Sequence, residues 1–125
     1  MNDRFKFRVY IKYAKMMCYD VNSFYIDRIK NKITIHFDNH TKTFKFDDVV
    51  LEQCTGLKDK NGKLIYEGDW LKTKDGYYCY VVWFEGFWWV ESLPSEAMDF
   101  EHSEFYGECE VVGNIHENPE LLEKD

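Results

Sequence analysis

The alternation of apolar residues with mostly basic ones near the start of the chain is the feature that most constrains the fold. Between residues 4 and 12 the apolar positions are Phe5, Phe7, Val9 and Ile11. Successive side chains of a β-strand point to opposite sides, so this period of two predicts a strand with one buried face. The intervening basic residues, Arg8 among them, are expected on a solvated face, with a strip that contacts phosphates as the alternative.

The rest of the first half continues this pattern. Strand-like stretches at residues 16–19, 24–29, 33–37 and 43–46 are separated by turn-prone residues. Residues 47–54 break the alternation, and either a short helix capped by Asp47 or a further strand fits them. With 125 residues and 23 aromatic rings, which pack well on pleated surfaces, the chain is long enough for one β-rich domain or two small subdomains.

The second half is punctuated by glycine turns. Asn61-Gly62 and Asp75-Gly76 are dipeptides that type I′ turns select, and strands at 69–74 and 77–84 around the second pair predict a hairpin. A third strand is expected at 87–91, an exposed loop at 92–106 and a closing strand at 108–112. Asn118, Pro119 and Glu120 predict a terminal helical turn that docks Leu121 and Leu122.

These elements predict a mainly β fold, of the β-rich α+β class. We expect an N-terminal antiparallel meander, residues 1–54, packed on a small SH3-like barrel subdomain, residues 55–125, that carries the helical turn at its end.

Segment length and cysteine spacing limit the cellular context. The apolar run at residues 76–84 is far short of the roughly 20 residues that cross a bilayer, and charged residues at the start give no support for a signal peptide. We therefore expect a cytoplasmic protein that has no membrane partner. Cys18, Cys54, Cys79 and Cys109 lack the close pairing of a zinc or redox centre, which favours buried reduced thiols over two disulfides.

The net charge of −7 is unevenly distributed along the chain. Residues 1–62 carry a net +4, whereas residues 63–125 carry −11. The acidic half would repel a nucleic-acid backbone, so direct nucleic-acid binding is not expected.

Two sequence blocks and the opening residues resemble a known family. The blocks are residues 55–69, TGLKDKNGKLIYEGD, and residues 111–123, VVGNIHENPELLE, and the opening residues are Phe5-Lys-Phe-Arg8. They resemble the YopX family of small phage and prophage proteins of Firmicutes. The resemblance implies a β-rich fold with an SH3-like barrel, in a family without an assigned activity, and it brings no catalytic or ligand-binding residues to this chain.

The residues offer little for catalysis. His36 and His40 lie on a strand and its turn, where a spacing of four does not bring two rings to one ligand, and His102 and His116 are isolated. No nucleophile elbow, metal-binding helix or phosphate-binding loop is present. We therefore expect a protein that is not an enzyme, without catalytic residues, metal or cofactor.

Aromatic residues between positions 70 and 89 form the candidate site. A small barrel cannot bury all of them, and tryptophan and tyrosine are common anchors at interfaces. The candidate partner-binding residues are Trp70, Tyr78, Tyr80, Trp88 and Trp89. The hypothesis is a phage accessory protein that binds a protein partner, or another copy of itself as a homo-oligomer, through this aromatic face with an acidic rim. Core packing alone, and an acidic nucleic-acid mimic that inhibits a host DNA-binding protein, are the alternatives.

Overall fold

Two antiparallel sheets form the computed structural model, which describes residues 5–84, 87–92, 96–99 and 105–123. The first sheet has the strand order β4-β3-β2-β1-β5-β6 and the second β10-β9-β8-β7-β11. The first sheet comprises β1 (Phe7–Ile11), β2 (Met16–Asp27), β3 (Lys32–Phe37), β4 (Thr41–Lys45), β5 (Val49–Lys58) and β6 (Leu64–Tyr66). The second comprises β7 (Asp69–Lys72), β8 (Tyr78–Phe84), β9 (Phe87–Ser92), β10 (Glu96–Asp99) and β11 (Glu110–Asn114). The prediction of a mainly β fold is confirmed.

One face of the first sheet carries its own apolar core. Val9, Ile33 and Ile35 are fully buried there, and Phe44 and Val49 are nearly so. The alternation in β1 thus buries Val9 and Ile11 as expected, whereas Phe5 lies before the strand and is 75% exposed. The expectation for Arg8 is wrong, however, because its side chain is only 1% exposed on the opposite face.

The second sheet packs a separate core with β6. Ile65 of β6 is buried against Leu71, Val81 and Trp88, together with the thiols of Cys79 and Cys109. All four cysteines of the chain are free thiols, and Cys18 is the one that is not buried. Burial raises the pKa of Cys79 to about 12 and that of Cys109 to about 11, so both are protonated at neutral pH.

The predicted SH3-like barrel is not confirmed. Within the described part of the chain, β7 to β11 form an open sheet with β10 and β11 at its edges. The division into residues 1–54 and 55–125 stays a prediction, and residues 54 and 55 both lie inside strand β5.

The predicted hairpin at Asp75-Gly76 forms, but its turn is wider than type I′. The amide of Thr73 donates to the carbonyl of Tyr77 at 2.8 Å, which leaves three residues in the loop. Gly76 alone among them has a positive φ, +88°. This is the geometry of a three-residue loop in which glycine takes the left-handed position.

Three further segments depart from or complete the predictions. Within residues 92–106, expected as a loop, Glu96–Asp99 form strand β10, paired with β9. Strand β5 replaces the alternative helix after a single 3-10 turn at Phe46–Asp48. The terminal turn at Pro119–Glu123 is present as a 3-10 helix and buries Leu121 as expected, whereas the side chain of Leu122 lies outside the described part of the structure. No helix in the described ranges is both long and apolar enough to cross a membrane.

Aromatic face, buried charge cluster and groove

Two of the predicted site residues belong to the interior. Trp88 is 1% exposed and packs in the core of the second sheet, and Trp70 is 0% exposed. The expectation that Trp88 lies on an exposed partner-binding face is therefore wrong. Trp88 pairs with Trp83 of β8, which lies on the same side of the sheet as buried Val81. Among the described residues neither indole N–H has a hydrogen-bond partner, so each ring is held by apolar packing.

The remaining predicted residues lie around the other face of β8. Tyr78 and Tyr80 are half-buried, and Tyr80 pairs with Trp70 in the ladder and meets it edge-on at 5.2 Å. Trp70, Tyr78 and Tyr80 thus share one face, as expected from the alternation. The backbone of Trp89 pairs with Val82, and its side chain lies outside the described part of the structure.

Among the described side chains between positions 70 and 89, the exposed rings are those of Trp83 and Tyr77. Tyr77 is 68% exposed in the loop before β8, and Trp83 is 47% exposed near the strand's other end. Trp83 meets buried Trp88 edge-on with ring centroids 4.7 Å apart and an angle of 68° between the planes. An exposed indole is thereby fixed against the core.

A buried charge cluster joins the two sheets around Arg8. The guanidinium Nη1 donates to Asp69 Oδ1 on β7 at 2.6 Å, Nε donates to Glu52 Oε1 on β5 at 3.0 Å, and Nη2 donates to the carbonyl of Glu67 at 2.9 Å. Glu52 lies opposite Arg8 within the first sheet, whereas Asp69 belongs to the second. The Arg8–Asp69 ion pair is therefore a direct link between the sheets.

His116 extends the cluster on the side of Glu52. Its Nε2 lies 3.0 Å from Glu52 Oε2, and its ring stacks on Tyr10 with centroids 4.7 Å apart. The backbone amides of His116 and Glu117 donate to the side chain of Asn114, which holds the turn that positions the imidazole. Each carboxylate of the cluster is thus engaged on both oxygens, since Asp69 Oδ2 accepts from the amide of Tyr66.

Burial and ion pairing shift the pKa values of Arg8 and Asp69 in opposite directions. Burial lowers the pKa of Arg8, but attraction to Asp69 and Glu52 outweighs it, so the pKa is raised overall. For Asp69 burial is the larger effect and raises the pKa to about 6, although Arg8 opposes it. Burial also raises the pKa of Tyr66 to about 12, which keeps its hydroxyl protonated.

An open groove of about 350 Å³ lies beside the cluster. Its lining residues are Tyr19, Gly62, Lys63, Leu64, Tyr66 and Asp69. The guanidinium of Arg8 lies over the rings of Tyr19 and Tyr66, at 5.7 and 5.0 Å from their centroids. The two rings meet edge-on at 5.5 Å, so one wall of the groove is fixed by Arg8.

Sequence reasoning missed this cluster, although it singled out the segments that build it. Arg8 belongs to the opening residues, Asp69 ends the block at 55–69, and His116 lies in the block at 111–123. The signal that could have found the cluster is that each of these three segments contributes one ionisable side chain: a guanidinium, a carboxylate and an imidazole. A group of three or more His, Cys, Asp or Glu side chains placed to hold a metal is absent from the described ranges.

Gly68 tests how tightly the cluster is packed. A Cβ at Gly68, where φ is +85°, would overlap the carboxylate of Glu52, whereas at Gly76, with φ +88°, it meets nothing within 4 Å. Both alanine variants strain the backbone, by about 1–2 kcal/mol. Only Gly68→Ala also displaces a buried carboxylate, and we expect it to lower the free energy of unfolding by about 3 kcal/mol or more in urea denaturation. Equal losses for the two variants would contradict this packing.

The raised pKa of Asp69 predicts a pH dependence. The ordinary pKa of Asp69 is 3.8 and its pKa in the folded protein is about 6. At pH values between these two, the folded protein therefore binds more protons at Asp69 than the unfolded chain does. The resulting stabilisation is fully present below the lower value and is lost as the pH rises through about 6. Asp69→Asn cannot titrate. In urea denaturation, the difference in unfolding free energy between the native protein and Asp69→Asn should therefore be larger near pH 4 than near pH 7. A pH-independent difference would contradict the shift.

The family and fold were compared with known proteins. The family model described as YopX protein matches residues 6–123. The crystal structure of protein EF1440 from Enterococcus faecalis is similar with a TM-score of 0.64 and 28% identity, covering 94% of this chain and 96% of that one. The crystal structure of protein YopX from Bacillus subtilis has a TM-score of 0.64 and 22% identity, covering 97% and 98%, respectively. Comparison with curated proteins gave no significant match.

The match over residues 6–123 includes Arg8, Glu52, Asp69 and His116, which form the buried charge cluster. It bears out the resemblance drawn from the sequence blocks. The chain belongs to the YopX family.

Proposed function

We propose that this chain is a non-catalytic protein-binding module, encoded by a phage or prophage and acting in the host cytoplasm. Exposed aromatic rings on the second sheet bind a protein partner or a second copy. The family resemblance supports the phage origin. The observation that carries the binding role is Trp83, which is 47% exposed and held edge-on against a fully buried tryptophan.

The physical argument rests on pre-organisation. A large ring that is already fixed in the free protein loses little conformational freedom on binding, and tryptophan is enriched among the residues that dominate binding energies. Tyr77, 68% exposed, adds a second exposed ring at the opposite end of β8. The net charge of −11 carried by residues 63–125 favours a partner with a basic surface.

The charge cluster does not argue for catalysis. Arg8, Glu52 and Asp69 are each at most 3% exposed, and they are paired with one another. Groups engaged in this way hold the sheets together, which agrees with a binding module whose rigid scaffold presents an exposed ring.

Substitution of Trp83 tests the proposal. The immobilised chain would be used to recover a partner from host lysate, and the purified partner's affinity would then be measured by calorimetry, with self-association followed by sedimentation. Trp83→Ala should weaken the complex at least about tenfold, because it removes the anchor ring, and Trp83→Phe should weaken it less.

Tyr25→Ala is the matched control. Tyr25 is 65% exposed but lies on β2 of the first sheet, so its loss should leave the affinity unchanged. Each variant must keep the native thermal midpoint within a few degrees. A complex of native affinity with Trp83→Ala, with self-association also unchanged, would overturn the proposal.

An acidic nucleic-acid mimic is the second candidate, favoured by the net −11 of residues 63–125. Such a mimic would compete with DNA for a host DNA-binding protein, and its affinity would fall steeply with salt. Docking through Trp83 predicts a shallow salt dependence. Measuring the same complex at low and high salt therefore separates the two candidates.

A further inference from the structure

The groove beside Arg8 presents hydrogen-bond donors that lack partners within the described part of the chain. The hydroxyl of Tyr19 accepts from Arg8 Nη1 at 3.3 Å, so its own proton is left for another acceptor. The hydroxyl of Tyr66 makes no hydrogen bond with a described residue, and this atom reaches solvent although only 6% of the whole residue is exposed. Both tyrosines line the groove.

Lysines add positive charge at the same place. Lys63 lines the groove, and Lys58 lies opposite Leu64, another lining residue, so that Lys58 and Leu64 share one side of the sheet. Both lysines are exposed, and neither forms an ion pair with any described residue. Asp59, their neighbour, attracts Lys63 but directs its oxygens to the backbone amides of Asn61, Lys63 and Val111.

This arrangement favours a carboxylate over a cation. Arg8 already occupies the position over the two tyrosine rings where a cation would bind. Asp69 is 2% exposed with both oxygens engaged, so an entering ligand meets hydroxyls and an ammonium group rather than this carboxylate. An entirely apolar ligand would leave the hydroxyl donors unpaired, which is unfavourable.

We propose that this groove binds an acidic peptide segment, with a glutamate or aspartate carboxylate between the tyrosine hydroxyls and Lys63 and an adjacent apolar side chain against Leu64 and the tyrosine rings. Its volume of about 350 Å³ suits one or two side chains of such a peptide. The site goes beyond the proposed function, since it uses neither Trp83 nor Tyr77 and selects the opposite charge.

The test is an NMR titration of the full-length, ¹⁵N-labelled chain with two matched probes. The first is the peptide acetyl-Glu-Leu-Glu-Leu-amide, and the second carries glutamine in place of each glutamate. The glutamate peptide should shift the amide signals of Gly62, Lys63 and Leu64 in a saturable way. The glutamine peptide should bind at least about tenfold more weakly, because it lacks the charge that pairs with lysine.

Substitutions assign the contact. Lys63→Gln and Tyr19→Phe should each weaken the glutamate peptide at least about threefold while the remaining spectrum stays native. Lys74→Gln is the control, because Lys74 is likewise exposed but pairs with Glu108 at 3.3 Å near the β7–β8 loop. It should leave the affinity unchanged.

Three results would overturn the inference. They are equal affinities for the two peptides, shifts that centre away from the groove, and no saturable shift up to about 10 mM peptide. The last result would mean that the binding free energy is weaker than about 3 kcal/mol. Because Trp83→Ala leaves the groove intact, this titration and the partner measurement fail independently of each other.

Discussion

Arg8 is buried in the interior, and a buried guanidinium is tolerated only where carboxylates and acceptors surround it. Its side chain is 1% exposed, with Glu52 on its own sheet and Asp69 on the other. Removing Asp69 would leave Arg8 paired with Glu52 alone, whereas removing Arg8 would leave two buried carboxylates without their shared counter-charge. Much of the surrounding architecture follows from this requirement, because β1, β5 and β7 must be brought to within hydrogen-bond distance. Gly68 must also lack a side chain so that Glu52 fits.

The cluster also explains how separate parts of the chain act together. His116 comes from the turn after β11, stacks on Tyr10 of β1 and contacts Glu52 of β5. Tyr19 and Tyr66 enclose the guanidinium from two other strands and form a wall of the groove. A binding groove next to the cluster is therefore held by the same contacts that join the sheets, and its shape depends on Arg8.

Alternation predicts strands well but does not tell which face meets solvent. In β1 the pattern placed Val9 and Ile11 correctly in a core, yet Arg8 on the other face is covered by the second sheet. Trp88 shows the same difficulty, since its place on the inner face depends on the pairing of β8 with β9. Gly76 was recognised as a turn residue, but the loop length followed from pairing between Thr73 and Tyr77. Long-range contacts of this kind leave no local pattern.

The central claim is that the Arg8–Asp69 ion pair couples the two sheets, and a double-mutant cycle tests it most directly. Unfolding free energies would be measured in urea at neutral pH for the native chain, Arg8→Met, Asp69→Asn and the double variant. Arg8→Met leaves Asp69 and Glu52 without the guanidinium, and Asp69→Asn leaves Arg8 with Glu52 alone. The double variant removes both members of the Arg8–Asp69 pair, so it should lose less than the two single losses combined. We expect a coupling energy of about 2 kcal/mol or more. Additive losses, with a coupling near zero, would contradict the account.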